Sequence, residues 1–243
     1  MIDEVRVLIR EARRIAVLTG AGISAESGIP TFRDALTGLW ARFNPEELAT
    51  PQAFERNPRL VWDWYAERRA KVATCSPNPG HLALAELERR TSDFLLITQN
   101  VDGLHETAGS RKIVELHGNI RRVKCSRECG IVETWPGDER PPKCPGCGAL
   151  LRPDVVWFGE MLPDQEFARA SLAARNADLF FSVGTSNLVE PAASLTWLAH
   201  EHGATVVIVN PDMSGQRSGP RIVRVAEAAG EFLPKLVRMP SMP

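Results

Sequence analysis

Four cysteines lie close together in the middle of the chain. Cys125 and Cys129 have three residues between them, Cys144 and Cys147 have two, and 14 residues separate the two pairs. Four thiolates complete a tetrahedral zinc shell and leave no open position for water. The spacing therefore predicts one structural zinc ion, with an iron–sulfur cluster as the alternative. Any hydrolytic chemistry must then come from other residues.

A glycine-rich segment is a candidate cofactor site. It follows an apolar run and fits the GxGxxA pattern, in which glycines let a backbone approach a dinucleotide pyrophosphate. The alternative is a tight strand-to-helix turn without a ligand. No acidic residue ends a second strand about 20 positions on, as a dehydrogenase requires, so we expect NAD in a different pose. The candidate residues are Gly20, Ala21, Gly22, Ile23 and Ser24.

Small and polar residues follow three later apolar runs. They are Gln99, Asn100, Val101 and Asp102 after one run, Gly184, Thr185 and Ser186 after the next, and Asn210, Pro211 and Asp212 after the last. Such groups can hydrogen-bond a ribose or a carboxamide, but they also form polar turns by bonding their own backbone. Convergence of several of them at one edge of a sheet favours a nucleotide site.

Of the five histidines, His117 is best placed to act as a base. It follows the short apolar run 112–116 and precedes a glycine, which leaves room for a ligand. An imidazole with an ordinary pKa of about 6.5 suits general base catalysis at neutral pH, and a structural role is the alternative. His81 lies near a predicted helix start, and His200 and His202 on a helix face, which favours capping or solvent-exposed roles.

These residues depend for their positions on alternating strands and helices. Short β-branched runs predict buried parallel strands, and the stretches between them predict helices. The fold class is therefore α/β, a Rossmann-like parallel sheet with helices on both faces and a small inserted zinc-binding module. The predicted strands are 15–19, 94–98, 179–183 and 206–209, and the predicted helices include 1–14, 164–176, 191–202 and two that begin at Asn57-Pro58 and Asn78-Pro79.

We expect a single domain, residues 1–243, with two lobes. Between Val123 and Leu151 the chain is rich in cysteine, proline, glycine and charge, and it has too little apolar material for its own core. Such a segment needs a staple, such as a metal ion. The expected Rossmann-like lobe covers about 1–34, 80–121 and 152–243, and the expected small lobe combines helical residues 35–79 with zinc-binding residues 122–151.

Composition limits the possible partners. The 29 basic and 30 acidic residues give a formal net charge of -1 with no long like-charged block, so we expect no direct nucleic-acid binding. No apolar run approaches the roughly 20 residues that span a bilayer. The N-terminus also lacks the apolar core of a signal peptide. We therefore expect no membrane binding and a cytoplasmic location.

In combination, these motifs resemble the sirtuin (Sir2-like) deacylases. Residues 20–33 are similar to the family's GAGIS...GIPxFR segment, and its other blocks match residues 99–102, 115–119, 155–160 and 184–186 in the same order. The resemblance implies an NAD-dependent protein-lysine deacylase that releases nicotinamide and O-acyl-ADP-ribose. The three-residue spacing of the first cysteine pair departs from the family, in which two residues are commoner.

The resemblance also implies roles for the matching residues. Asn100 and Asp102 would line the nicotinamide pocket, and His117 would remove a proton from a ribose hydroxyl. The loop that closes over NAD would include Phe32, Arg33 and Trp40. The adenosine side would be held by Thr185, Ser186, Asn210 and Ala229. The acylated lysine peptide would pair by β-augmentation with an extended edge that includes Val155, Val156, Phe158 and Gly159.

Tyr65 and Arg68 stand three residues apart on the helix after Asn57-Pro58 and so share a face. They are similar to the Tyr-x-x-Arg pair of the sirtuins that remove malonyl, succinyl or glutaryl groups. A guanidinium can hold a carboxylate with two hydrogen bonds, and a phenol can add a third. The resemblance therefore implies desuccinylase or demalonylase activity beside deacetylation. The alternative is a core tyrosine beside a solvated arginine.

Two other functions share parts of this pattern. Mono-ADP-ribosyl transfer uses the same displacement of nicotinamide with another nucleophile, and it would yield modified protein in place of O-acyl-ADP-ribose. A noncatalytic NAD or ADP-ribose sensor would release no nicotinamide with any acyl peptide. The position of His117 argues against the sensor.

Overall fold

The computed structural model describes residues 1–30, 48–132 and 139–238. The strands are β1 (Arg14–Thr19), β2 (Asp93–Thr98), β3 (Ile113–Glu115), β4 (Gly118–Cys125), β5 (Ile131–Val132), β6 (Leu151–Val155), β7 (Leu179–Val183), β8 (Thr205–Val209) and β9 (Ile222–Val225). The helices are α1 (Ile2–Glu11), α2 (Gly22–Ala25), α3 (Pro51–Arg56), α4 (Pro58–Ala73), α5 (Pro79–Arg90), α6 (Leu104–Thr107), α7 (Asp164–Asn176), α8 (Ser194–Glu201) and α9 (Ala229–Val237). The candidate residues Phe32, Arg33 and Trp40 lie outside the described ranges.

A parallel six-stranded sheet forms the larger half of the structure. Its strand order is β3-β2-β1-β7-β8-β9, and all neighbouring strands run parallel. The order runs outward from β1 to β3 and then, on the other side of β1, from β7 to β9. Ligands of such sheets bind at this reversal, beyond the carboxyl ends of the strands. The predicted fold class is confirmed.

Helices cover both faces of this sheet. Side chains alternate between the faces of a strand, so Ile15 and Val17 of β1 pack in one core while Ala16 and Leu18 pack in the other. The first core also receives α1, α5 and α9, and the second receives α7 and α8. Every residue of β7 is buried, as a strand covered on both faces requires.

A separate antiparallel sheet contains the cysteine-rich segment. Its order is β5-β4-β6, and α3 and α4 pack against it through a core that includes Val61, Trp64, Ile120 and Val155. A second small cluster buries Trp62 with Val123, Leu151 and two of the cysteines. The segment therefore builds its core from the neighbouring helices, since its own apolar residues are few.

Several element boundaries differ from the prediction. The helix expected over 191–202 begins at Ser194, because the segment that starts at Pro191 forms a turn first. The N-terminal helix ends at Glu11, ahead of the predicted residue 14. Five strands, β3, β4, β5, β6 and β9, were not among those predicted, since β4 is rich in charge and β3 and β5 have only three and two residues. No helix within the described ranges has both the length and the apolar character to span a membrane.

The loops that follow β1 and β7 touch backbone to backbone. Gly184 has a φ of +59°, and a Cβ placed on it would lie 2.3 Å from the nitrogen of Ile23. A Cβ on Gly22 would lie 2.7 Å from the carbonyl oxygen of Gly184. These positions therefore require glycine for steric reasons on both sides of the contact.

Gly184→Ala should lower the free energy of unfolding by about 2 to 5 kcal/mol, because a left-handed backbone cost adds to overpacking. The matched control is Gly215→Ala, since Gly215 also has a positive φ, of +72°, but a Cβ placed on it would meet no atom within 4 Å. The control should show only the backbone cost of about 1 to 2 kcal/mol. Denaturant titration measures both changes, and equal losses would contradict the steric argument.

Candidate functional site

The candidate residues lie side by side along the carboxyl edge of the large sheet. Because the strand order is β3-β2-β1-β7-β8 and all strands are parallel, their C-terminal loops follow the same order in space. The loops carry, in that order, His117, the segment 99–102, the segment 20–24, the segment 184–186 and Asn210. The tertiary structure therefore brings together residues from distant parts of the chain.

The glycine-rich segment is packed tightly against the loop after β7. A Cβ on Gly20 would lie 2.8 Å from the Cβ of Thr185, and Gly22 is restricted in the same way by Gly184. The helix that follows, α2, has four residues. Packing between the loops by itself accounts for both glycines, in agreement with the alternative of a tight turn, and the approach of a pyrophosphate to them stays a prediction.

A buried hydrogen-bonded cluster joins the loops after β1 and β2. The Ser24 hydroxyl donates to Asp102 Oδ2 at 2.8 Å, and Asn100 Nδ2 donates to the carbonyl of Gly20 at 3.0 Å and to Ser24 Oγ at 3.2 Å. Asp102 Oδ1 also accepts the backbone N–H of Leu104 at 2.9 Å. Asp102 therefore forms a polar turn with Leu104 and at the same time joins the two loops through Ser24.

His117 is half-buried and contacts Gln99, the residue that precedes Asn100 of this cluster. Its Nδ1 is 2.9 Å from the carbonyl oxygen of Gln99. Because a carbonyl only accepts, Nδ1 carries the hydrogen and Nε2 carries the lone pair. Burial lowers the pKa of His117, and the hydrogen bond to Gln99 opposes that shift. The imidazole is therefore neutral at neutral pH, with Nε2 as the basic atom.

The loop after β7 is held by amide side chains. The carbonyl of Thr185 accepts Asn210 Nδ2 at 3.0 Å and Gln216 Nε2 at 3.2 Å, and the Thr185 hydroxyl accepts Gln99 Nε2 at 3.1 Å. Gln216 is buried and was not predicted, because its sequence neighbours are those of an ordinary polar loop. These bonds join the ends of β2, β7 and β8.

The remaining candidate cofactor residues differ in exposure. Ser186 is half-buried, whereas Pro211 and Asp212 are exposed, and the Asp212 carboxylate accepts the N–H of Ser214 within its own turn at 2.8 Å. Ala229 packs its side chain in the large core. A contact of Ala229 with a nucleotide would therefore involve its backbone.

Tyr65 and Arg68 lie on α4, which Asn57 caps by accepting the N–H of Leu60. Tyr65 is buried, with its ring 4.6 Å from that of Trp64, and its oxygen accepts the indole N–H of Trp157 at 3.0 Å. The Arg68 guanidinium lies 5.0 Å from the centre of the Trp64 ring. Both residues therefore belong to an aromatic cluster: Tyr65 is a core residue with a polar tip, Arg68 is half-buried, and the binding of an acidic acyl group by this pair stays a prediction.

The segment 155–159 is extended only at its beginning. Val155 ends β6, and the Val156 N–H donates to the carbonyl of His117 at 2.9 Å. The Phe158 N–H donates to Ala49 at 2.9 Å, and Gly159 has a φ of +87° within a turn. The expected extended edge therefore ends before Phe158, where a turn begins in which the Glu160 N–H donates to the carbonyl of Trp157 at 3.0 Å. The pairing of this segment with a peptide stays a prediction.

The four cysteines meet at the end of the small sheet. Their Sγ atoms all lie within 4.8 Å of one another, and tetrahedral zinc at Zn–S distances of about 2.3 Å requires sulfurs roughly 3.8 Å apart. The three residues between Cys125 and Cys129 form a turn. In this turn the Glu128 N–H donates to the carbonyl oxygen of Cys125, and Glu128 has a φ of +59°. The donor set fits one zinc ion that has no open coordination position.

Residues 20–191 match the model of the Sir2 family. That range covers most of the chain and includes all four cysteines, His117 and the buried polar cluster. The chain belongs to the Sir2 family.

Two curated relatives of this Sir2 chain are named for the same activity. The "NAD-dependent protein deacylase" of Ralstonia nicotianae is 53% identical over 237 residues, which are 96% of this chain and 95% of that protein. The "NAD-dependent protein deacylase 1" of Pseudomonas aeruginosa is 51% identical over 240 residues, 95% of this chain and 96% of that protein.

Solved Sir2 structures share the fold. A Sir2 homologue in complex with NAD is 46% identical, with a TM-score of 0.87 over 97% of this chain and 92% of its own. A Sir2 protein bound to acetylated peptide is 30% identical, with a TM-score of 0.84 over 96% of this chain and 95% of its own.

Two further histidines of this Sir2 chain lie beneath the polar cluster. His81 caps α5, since its Nδ1 accepts the N–H of Asn78 at 3.3 Å, so the capping role is confirmed. It is fully buried, and a solvent-exposed role is wrong; burial lowers its pKa to about 4. His105 packs 4.8 Å from it, with Nε2 3.0 Å from Thr19 Oγ1. The proximity of His105 to the segment 99–102 in sequence was the available signal.

The chain should contain one zinc ion, and removing the ion should lower the melting temperature, because the small sheet depends on this cluster. Cys144→Ser should abolish zinc binding. The control is Cys75→Ser, because Cys75 lies outside the cluster. Metal analysis and thermal unfolding test this, and bound iron or a metal-free protein of equal stability would contradict it.

Proposed function

We propose that this chain removes acyl groups from protein lysines in an NAD-dependent reaction, with His117 as the general base. The observation that carries the proposal is the position of a neutral His117 beside Gln99, on the same sheet edge as the Ser24, Asn100 and Asp102 cluster. Relatives that share about half of their residues with this chain are named NAD-dependent protein deacylases, which supports the same reaction class.

NAD, when bound, supplies the electrophilic ribose carbon and a nicotinamide leaving group, and the chemistry is the cofactor's own. The chain positions the reactants and moves one proton. His117 Nε2 would accept the proton of a ribose hydroxyl, which increases the nucleophilicity of that oxygen. The Gln99 carbonyl keeps the imidazole in the tautomer that this step requires and stabilises the cation that results.

The buried amide and carboxylate groups would bind the nicotinamide carboxamide. A carboxamide offers both a donor and an acceptor, and so does the side chain of Asn100, while Asp102 offers acceptors. Ser24 bonds to both residues and holds them in place. The zinc ion stays outside the reaction, since four thiolates saturate it. Its role would be to fold the small sheet, which carries the segment 155–159 proposed to bind the peptide substrate.

The preferred substrates would include lysines with acidic acyl groups. Burial raises the pKa of Tyr65, with the charge of Arg68 opposing the shift, so the phenol keeps its proton and acts as a donor. Arg68 supplies a guanidinium for the carboxylate of a succinyl or malonyl group. The aromatic cluster around both residues excludes water, which strengthens such hydrogen bonds.

His117→Ala should reduce deacylation of acetyl and succinyl peptides by at least about 100-fold, because general base catalysis contributes about that much. The control is His202→Ala, since His202 is exposed on the far end of α8. Because the neutral imidazole is the active form and burial lowers its pKa, kcat/KM should fall only below about pH 6.5. An acid limb above pH 7, or modified protein in place of O-acyl-ADP-ribose, would contradict the assignment.

Tyr65→Phe and Arg68→Met should each lower the ratio of succinyl to acetyl kcat/KM about 10- to 100-fold, as expected for the loss of charge-assisted hydrogen bonds. Matched peptides that differ only in the acyl group measure this ratio. The control is Arg59→Met, because Arg59 is an exposed arginine of the same helix that pairs with Asp63. Equal loss of both activities in Arg68→Met would refute the acidic-acyl assignment.

A further inference from the structure

Trp157 makes a buried polar contact to which the proposed reaction assigns no function. The residue is 2% exposed and its indole N–H donates to the oxygen of Tyr65 at 3.0 Å. The two rings lie 6.3 Å apart. Within the described residues, the Tyr65 hydroxyl accepts this hydrogen bond and donates none. Its own proton is therefore left for another acceptor.

This contact restricts the direction of the Tyr65 proton. A phenolic O–H lies in the plane of the ring, where it has two preferred orientations, and an incoming donor occupies the lone pair on one side. The indole N–H of Trp157 cannot accept, because its nitrogen has no available lone pair. The Tyr65 proton must therefore point away from Trp157. Since burial keeps the phenol protonated, this orientation persists at neutral pH.

Trp157 is itself held in place by a partly buried ion pair between Arg152 and Glu160. The Arg152 guanidinium stacks on the Trp157 ring at 3.3 Å from its centre. Glu160 accepts a hydrogen bond from Arg152 at 2.9 Å and one from the backbone N–H of Trp157 at 2.8 Å. Arg152 Nη2 also donates to the carbonyl of Val155 at 2.8 Å. The indole is therefore fixed on both its face and its backbone.

We infer that Trp157 is a positioning residue for acyl-group selectivity: it orients the Tyr65 hydroxyl as a donor toward the carboxylate of an acidic acyl group. This inference rests on the acidic-acyl part of the proposed function. The cluster of Arg152, Trp157 and Glu160 then aligns the phenol of Tyr65, and Arg68 supplies the positive charge. A residue without an N–H at this position would leave the phenol free to rotate.

The competing explanation is purely structural: Tyr65 serves only to satisfy the buried indole N–H. The two explanations predict different results for Trp157→Phe, which keeps an aromatic ring and removes the N–H. A structural role would lower the melting temperature and reduce activity on both peptides together. A positioning role lowers the succinyl-to-acetyl ratio of kcat/KM and does so mainly through the KM of the succinyl peptide, because the carboxylate contact is the same in the ground and transition states.

The experiment compares Trp157→Phe, Tyr65→Phe and the double variant with matched acetyl- and succinyl-lysine peptides, and melting temperatures are recorded for each. We expect Trp157→Phe to lower the ratio about 3- to 10-fold, as for one weakened hydrogen bond. The double variant should be no lower than Tyr65→Phe alone, since without the hydroxyl there is nothing to orient. The control is Trp197→Phe, because Trp197 also stacks with an arginine, Arg217, at 4.3 Å, but on another helix.

The outcomes distinguish the positioning role of Trp157 from the acidic-acyl proposal on which it rests. A ratio lowered by Tyr65→Phe but not by Trp157→Phe would overturn the positioning role alone, as would additive effects in the double variant. A ratio lowered by neither would overturn the acidic-acyl proposal. Absence of nicotinamide release from the unmodified protein with both peptides would overturn the deacylase proposal itself.

Discussion

The direct backbone contact between the loops after β1 and β7 is the constraint on which the site depends. These strands are neighbours at the reversal of the sheet order, and only glycine lets Gly22 and Gly184 approach so closely. The contact sets the distance between the polar cluster of Ser24 and the amide network around Thr185. Because packed interiors relax little, a small change at this contact would displace both halves of the candidate cofactor site.

Burial determines which side chains are charged at the carboxyl edge of the large sheet. His81 and His105 are neutral because desolvation lowers their pKa values, so the region beneath the cluster carries no positive charge from them. Asp102 is the buried carboxylate there, and it accepts the Ser24 hydroxyl and the Leu104 N–H. Buried polar networks are stable only when their members are bonded. The network therefore presents a fixed arrangement of polar groups, and Gln99, which precedes Asn100, joins it to the imidazole of His117.

The small sheet is connected to the candidate site by ion pairs as well as by the covalent chain. Arg122 of β4 donates to Glu115 at the end of β3 at 2.6 Å and to Asp154 of β6 at 2.9 Å. These bonds join the two sheets close to His117 in the chain. The positions of β4 and β6, whose sheet carries the cysteine cluster, are therefore coupled to the end of β3, two residues before His117. The aromatic cluster that holds Tyr65 uses the same sheet, because Trp157 follows β6.

The sequence alone determined the fold class, the four central strands β1, β2, β7 and β8, and the cluster of cysteines that could hold a metal ion. β7 and α7 have the predicted bounds, because apolar strand runs and helix patterns are local properties. The cysteine cluster was also predictable, since its spacing reflects the geometry of one ion. Tertiary structure alone decided which polar residues meet. The contacts of the buried Gln216, of His105 with Thr19, and of Trp157 with Tyr65 join residues far apart in the chain. Such contacts follow from packing, which has no local pattern.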